Sequence, residues 1–132
     1  MEKRVEVLVL DDEPIVCERL AEHLGKRGFG VETFTESEKA VARLGEKAFD
    51  VVVTDLKMKG PTGLDVLHFV RDRCRGTQVI IITGFPSMEA VREAQFGSVF
   101  DFIEKPFQME KLAAPVEKAA RKARKLKGGG EA

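Results

Sequence analysis

The chain has 132 residues, of which 22 are basic and 22 acidic, and 43% of it is hydrophobic. That length suits one domain, and a formal charge of zero excludes a global pull toward nucleic acid or anionic lipid. No apolar run is long enough to span a bilayer, and the first apolar run begins at Val5 without a signal peptide ahead of it. Cys17 and Cys74 show neither metal-ligand spacing nor a pairing pattern, which fits a reducing, cytoplasmic setting.

Val5–Leu10 is short, apolar and rich in β-branched residues, so it reads as a buried strand. Asp12, Glu13 and Pro14 then open a helix, with Asp12 near the N-cap and Pro14 in the first turn. Val16, Leu20, Ala21 and Leu24 recur at helical spacing until Gly25 and Gly28. Val31–Phe34 is a second strand. Thr35 followed by Glu38 has capping-box spacing for a helix through about Leu44. Phe49–Thr54 is the third strand, and Gly60–Gly63 a loop. Leu64, Leu67 and Val70 line the next helix. Val79–Ile82 is apolar on both faces, hence a central strand. Ser87 can cap a helix to about Phe96, and Phe100–Ile103 is the fifth strand. Met109, Leu112, Val116 and Ala120 mark a last helix.

Pro115 falls inside that last helix and is expected to kink it. The helix fades into a basic stretch, where positions 117–127 hold six Lys/Arg. Such a stretch is ordinarily a solvated helix face, so direct nucleic-acid binding is not expected from it. The expected organisation is one domain over residues 1–126 and a flexible, basic and glycine-rich tail over residues 127–132. Five strands alternating with five helices require parallel strands and right-handed crossovers, with helices on both faces of the sheet.

The chemistry lies where these strands end. Asp11 and Asp12 close the first, Asp55 the third, Thr83 the fourth, and Lys105-Pro106 the fifth. Open parallel sheets carry their sites at the carboxyl ends of the strands. Adjacent carboxylates repel one another unless a cation lies between them, and a hard divalent cation such as Mg2+ prefers oxygen ligands. Asp12 and Asp55 would ligate directly, Asp11 through water, and the Lys57 carbonyl could add another oxygen. Asp55, between the metal and Lys105, is the natural nucleophile toward phosphorus. Magnesium and Lys105 would offset the charge of the incoming group, and Thr83 can donate a hydrogen bond to a phosphoryl oxygen. Lys105–Pro106 is open to the cis isomer. His23 and His68 stand away from any strand end and read as solvated helix residues.

Five segments together are highly specific: Val-Leu-Asp-Asp-Glu-Pro (9–14), Val-Thr-Asp-Leu-Lys-Met (53–58), Gly-Leu-Asp-Val-Leu (63–67), Ile-Ile-Thr-Gly (81–84) and Phe-Asp-Phe-Ile-Glu-Lys-Pro-Phe (100–107). With them the chain resembles the receiver domain of bacterial two-component response regulators over residues 5–126. The last segment looks most like the NtrC-type transcriptional regulators. The resemblance implies a doubly wound, flavodoxin-like α/β fold with strand order 2-1-3-4-5. It implies phosphorylation of Asp55 by a sensor histidine kinase or a phosphotransfer protein. Thr83 and Phe102 match the family's switch pair, and Lys57 and Phe85 occupy positions that modulate phosphoryl lifetime. The surface of the fourth helix, fifth strand and fifth helix is then the one that switches, and it is a candidate homodimer surface. A downstream effector protein or an output domain beyond the glycine run would read it.

Three departures touch the surroundings of the site and not its five residues. Lys59 stands where the family usually has proline, Pro86 adjoins Phe85, and Pro115 lies within the dimer helix. The expected role is a signalling module and not a turnover enzyme. Its main competitor is a pseudo-receiver that binds partners without phosphorylation. A magnesium-dependent phosphatase would need a substrate-covering cap and a second acid, and a nucleotide or flavin binder would need a glycine-rich phosphate loop. Neither set is present in the sequence.

Overall fold

The structure, a computed structural model, describes residues 4–129. Its elements run β1 (Glu6–Leu10), α1 (Pro14–Lys26), β2 (Gly30–Phe34), α2 (Ser37–Leu44), β3 (Val51–Asp55), α3 (Gly63–Arg73), β4 (Gln78–Thr83), α4 (Met88–Phe96), β5 (Asp101–Glu104) and α5 (Met109–Gly129). The five strands form one parallel sheet of order β2-β1-β3-β4-β5. The expected fold class and strand order are both present.

Side-chain alternation along the strands divides the core in two. Leu8, Leu10, Val52 and Ile81 point to one face, where Ala40, Leu44, Val66, Leu67, Val70, Ala90 and Ala94 of α2, α3 and α4 cover them. Val7, Val9, Val51, Val53, Ile80 and Ile82 point to the other, against Cys17, Leu20, Leu24, Leu112, Val116 and Ala119 of α1 and α5. Strands buried on both faces explain why β1, β3 and β4 read as unbroken apolar runs.

Several local readings shift. The N-cap of α1 is Glu13, next to Asp12 as expected, but Gly25 lies within that helix, and Gly28 beyond it has φ +90°. The Thr35–Glu38 capping box does not form. Helix α2 begins at Ser37 behind Glu36, with no side-chain cap, and the Ser37 hydroxyl instead donates to the Lys59 carbonyl at 2.8 Å. A capping box does form at α3, where the Thr62 hydroxyl accepts from Asp65 N–H and Asp65 accepts from Thr62 N–H. Ser87 caps α4 as expected. His23 and His68 are half-buried on their helices; neither Nε2 has a hydrogen-bond partner among the described residues, and that of His68 lies 3.8 Å from a Glu93 carboxylate oxygen.

Helix α5 continues through Pro115 to Gly129, about 30 Å at 1.5 Å per residue. The tail expected from 127 therefore starts inside a helix; residues 130–132 of it lie outside the described residues. Lys127 is held in place. Its Nζ donates to the Phe49 carbonyl at 2.9 Å and lies 3.5 Å from Asp50 Oδ1. Asp50 Oδ2 accepts from Glu6 N–H at 2.9 Å, so the last turn of α5 is tied to the amino ends of β3 and β1.

The edge strand β2 is covered by charge. Glu32 accepts two hydrogen bonds from Arg43, at 2.8 and 3.2 Å, and a third from Lys47 at 2.8 Å. These bonds hold its pKa down at about 2. A depressed carboxylate stabilises the fold above its ordinary pKa of 4.5, and that contribution is lost as pH falls toward about 2. After discounting for solvent screening, Glu32→Gln is expected to cost about 1 kcal/mol at pH 7. Urea denaturation of both proteins should show that difference shrinking by pH 3; a constant gap would remove the ion pairs as its source.

Candidate phosphoacceptor site

The carboxyl ends of β1, β3, β4 and β5 meet in a cavity of about 360 Å³ lined by Asp12, Glu13, Asp55, Lys57, Thr83, Gly84, Phe85 and Lys105. The chain leaves β1 at Asp11, whose N–H still bonds the Phe34 carbonyl at 3.0 Å. Asp11 is wholly buried. Its Oδ1 accepts from Glu13 N–H at 2.9 Å and its Oδ2 from Lys105 Nζ at 2.8 Å. Asp12 is exposed at the rim.

Asp55 is the last residue of β3 and is buried, with Oδ1 accepting from Leu56 N–H at 2.7 Å. Its other oxygen faces Lys105 Nζ at 3.5 Å. The turn after it is tight: Gly63 N–H donates to the Leu56 carbonyl at 2.8 Å, and a side chain at Gly63 would collide with the Asp55 carbonyl oxygen. Thr83 ends β4 and is buried, its hydroxyl accepting from Phe85 N–H at 3.1 Å. The Thr83 carbonyl accepts from Lys105 N–H at 2.7 Å, which carries the β4–β5 pairing up to the lysine. The Lys105–Pro106 bond is cis.

One ligand oxygen each from Asp11, Asp12 and Asp55 lies within 4.8 Å of the others. This is an all-oxygen set with excess negative charge, which fits a hard divalent cation. Lys57 is exposed beside it, with Nζ 5.5 Å from the ring centroid of Phe85, itself 73% exposed. Phe102 does not line the cavity. It is half-buried against the cluster beneath α4. It pairs in register with Ile81 while Thr83 pairs with Glu104, so Phe102 and Thr83 lie on the same face of adjacent strands.

Glu13 is the member that sequence reasoning missed. Its Oε1 lies 3.3 Å from Lys105 Nζ. Its place directly after the acidic pair was the available signal, but reading it as a helix start assigned it no charge partner.

The electrostatics follow from this crowding. Burial, and secondarily the Asp55 charge, raise the Asp11 pKa above its ordinary value; its bonds to Lys105 and Glu13 N–H oppose the rise without cancelling it. Burial would lower the Lys105 pKa, yet the hydrogen bond that Lys105 donates to Asp11 and the charges of Asp11 and Asp55 together raise it. Both shifts describe a place short of positive charge.

Comparison with known proteins agrees with this geometry. The response regulator receiver domain matches residues 7–117. FixJ, a transcriptional regulatory protein of Bradyrhizobium diazoefficiens, is 31% identical over 89% of this chain and 57% of its own length. An NtrX-like putative response regulator of Rickettsia typhi is 32% identical over 88% of this chain and 25% of its own. Among solved structures, the beryllofluoride-activated NtrC4 receiver domain dimer superposes with a TM-score of 0.83 at 28% identity, covering 89% of this chain and 98% of that one. The chain belongs to the response regulator receiver domain family of two-component systems. It spans between about a quarter and just over half of the length of the curated relatives it matches. Among the described residues, no helix is long and apolar enough to cross a membrane.

A raised Asp11 pKa carries a sign. The charged form is disfavoured in the folded chain, so the penalty is absent below the ordinary 3.8 and fully present above the raised value. Asp11→Asn is therefore expected to melt higher than wild type at pH 7 in chelator. Added magnesium should stabilise wild type and do so much less for the variant. A lower melting temperature for Asp11→Asn in chelator would contradict the assignment.

Proposed function

We propose that this domain accepts a phosphoryl group on Asp55 and switches the α4–β5–α5 surface in response. The observation that carries the reading is the facing of one buried Asp55 oxygen toward Lys105 Nζ at 3.5 Å, beside an acidic group able to hold a cation. Asp11, Asp12, Asp55 and the Lys57 carbonyl would hold Mg2+, which supplies neutralising charge to the phosphoryl oxygens when bound.

The donor is a phosphohistidine on a sensor kinase or phosphotransfer protein. An Asp55 oxygen bonds phosphorus as the phosphorus–nitrogen bond breaks, and the freed imidazole takes up a proton. Lys105 pairs with a phosphoryl oxygen, as does the Thr83 hydroxyl once it leaves Phe85 N–H. The movement of Thr83 along the face it shares with Phe102 lets the aromatic ring turn further inward. Full burial of a phenylalanine is worth about 1.5–3 kcal/mol. Phe102 has no hydroxyl, so this burial supplies the bias between the two states. The domain performs its own phosphorylation chemistry without turning over a separate substrate. It acts in the cytoplasm, through an effector protein, an attached output domain or a homodimer built on α4, β5 and α5. The dimeric, activated NtrC4 receiver supports the last of these.

Intact mass after incubation with magnesium and acetyl phosphate tests the proposal. One added phosphoryl group is expected on wild type and none on Asp55→Asn. No gain on either protein would favour a pseudo-receiver that binds partners constitutively. The Phe85 ring and Lys57 side chain border the cavity mouth and hinder water from reaching phosphorus. Phe85→Ala is expected to shorten the phosphoryl half-life about threefold to tenfold, followed by loss of the added mass in magnesium buffer. An unchanged half-life would remove the shielding role.

A further inference from the structure

Glu13 differs from the two buried acids of the site. Asp11 is wholly buried and Asp55 nearly so, whereas the Glu13 side chain is 60% exposed. Its backbone performs the local structural work: the N–H donates to Asp11 Oδ1 at 2.9 Å, and the carbonyl accepts from Val16 and Cys17 N–H at 3.0 and 3.4 Å. Its side chain makes no cap bond to α1. The carboxylate is therefore free of any duty in starting the helix, and its one hydrogen-bond partner among the described residues is Lys105, at 3.3 Å.

Lys105 thus divides one positive charge among three carboxylates, Asp11 at 2.8 Å, Glu13 at 3.3 Å and Asp55 at 3.5 Å. The Asp11 contact is buried and close. The Glu13 contact is the solvent-facing one, and Glu13 lines the cavity into which an anionic donor must come. Donor and Glu13 compete for the same ammonium, and Glu13 repels the donor as well. We infer that Glu13 is a positioning residue that holds Lys105 at the cavity mouth and restrains phosphorylation by anionic donors. The inference rests on Asp55 being the phosphoacceptor. With acetyl phosphate, the bond from phosphorus to the acetyl oxygen breaks as Asp55 bonds phosphorus, and acetate leaves with the electron pair. Glu13 takes no part in those bonds and acts only through Lys105 and its own charge.

The test measures phosphorylation rates of wild type, Glu13→Gln and Glu13→Asp with acetyl phosphate and with the less anionic phosphoramidate, in saturating magnesium. At low ionic strength, Glu13→Gln is expected to react about threefold to tenfold faster than wild type with acetyl phosphate. The gain should be smaller with phosphoramidate and should fade toward unity near 1 M salt, where the screening length is about 3 Å. Glu13→Asp, which keeps the charge on a shorter arm, should fall between the two. A merely structural effect would change rates equally for both donors and at all salt concentrations, and that pattern would overturn the inference. Equal rates for wild type and Glu13→Gln at low salt would also overturn it while leaving the Asp55 reading intact. A wild type that gains no phosphoryl group would sink both together.

Discussion

Lys105 places a single ammonium within 3.5 Å of three carboxylates at the carboxyl end of the sheet, and much of the site depends on that imbalance. Asp11 could not be wholly buried as a charge without it. Asp55 keeps one oxygen directed at the lysine because the other is occupied by Leu56 N–H. The backbone on every side is correspondingly constrained: Thr83 carbonyl holds Lys105 N–H, and Gly63 closes so tightly on Asp55 that no side chain fits there. The remaining excess of negative charge leaves the site receptive to a cation. It also leaves the site selective against an anion that arrives without one.

The sheet connects this charge to the surface in two directions. Along β4 and β5, Thr83 shares a face with Ile81 and Phe102, and that face lies against α4. Phe102 is only half-buried on that face. Along β3, Asp55 is five residues from Asp50, which ties Glu6 N–H to Lys127 of α5. The far end of the last helix is thus bonded to the residues that lead into β3, the strand ending at Asp55.

The fold was legible because its strands are buried on both faces. Runs such as Val79–Ile82 cannot alternate, and three of them among five strands separated by amphipathic helices admit few arrangements. The site was legible because acidic, hydroxyl and basic residues recur at strand ends. Legibility failed where a polar side chain had a choice of partner. Ser37 bonds the Lys59 carbonyl, so the Thr35–Glu38 box never forms, while Thr62 and Asp65 form the box within what read as a loop. The last helix ends at Gly129, within the glycine run, and Lys127 near its end bonds the Phe49 carbonyl and approaches the Asp50 carboxylate.

Residue type and spacing by themselves determined the order of elements, a parallel sheet with helices on both faces, and the gathering of Asp11, Asp12, Asp55, Thr83 and Lys105 at one sheet edge. Those follow from periodicity and from the short reach of strand-to-helix turns, which are local properties of the chain. Only the tertiary structure decided how one ammonium is divided among Asp11, Glu13 and Asp55, that Phe102 lies on Thr83's face without lining the cavity, and that α5 is tied to β3. Those outcomes depend on distances between residues some 20 to 94 positions apart in the chain, and only the packed sheet sets such distances.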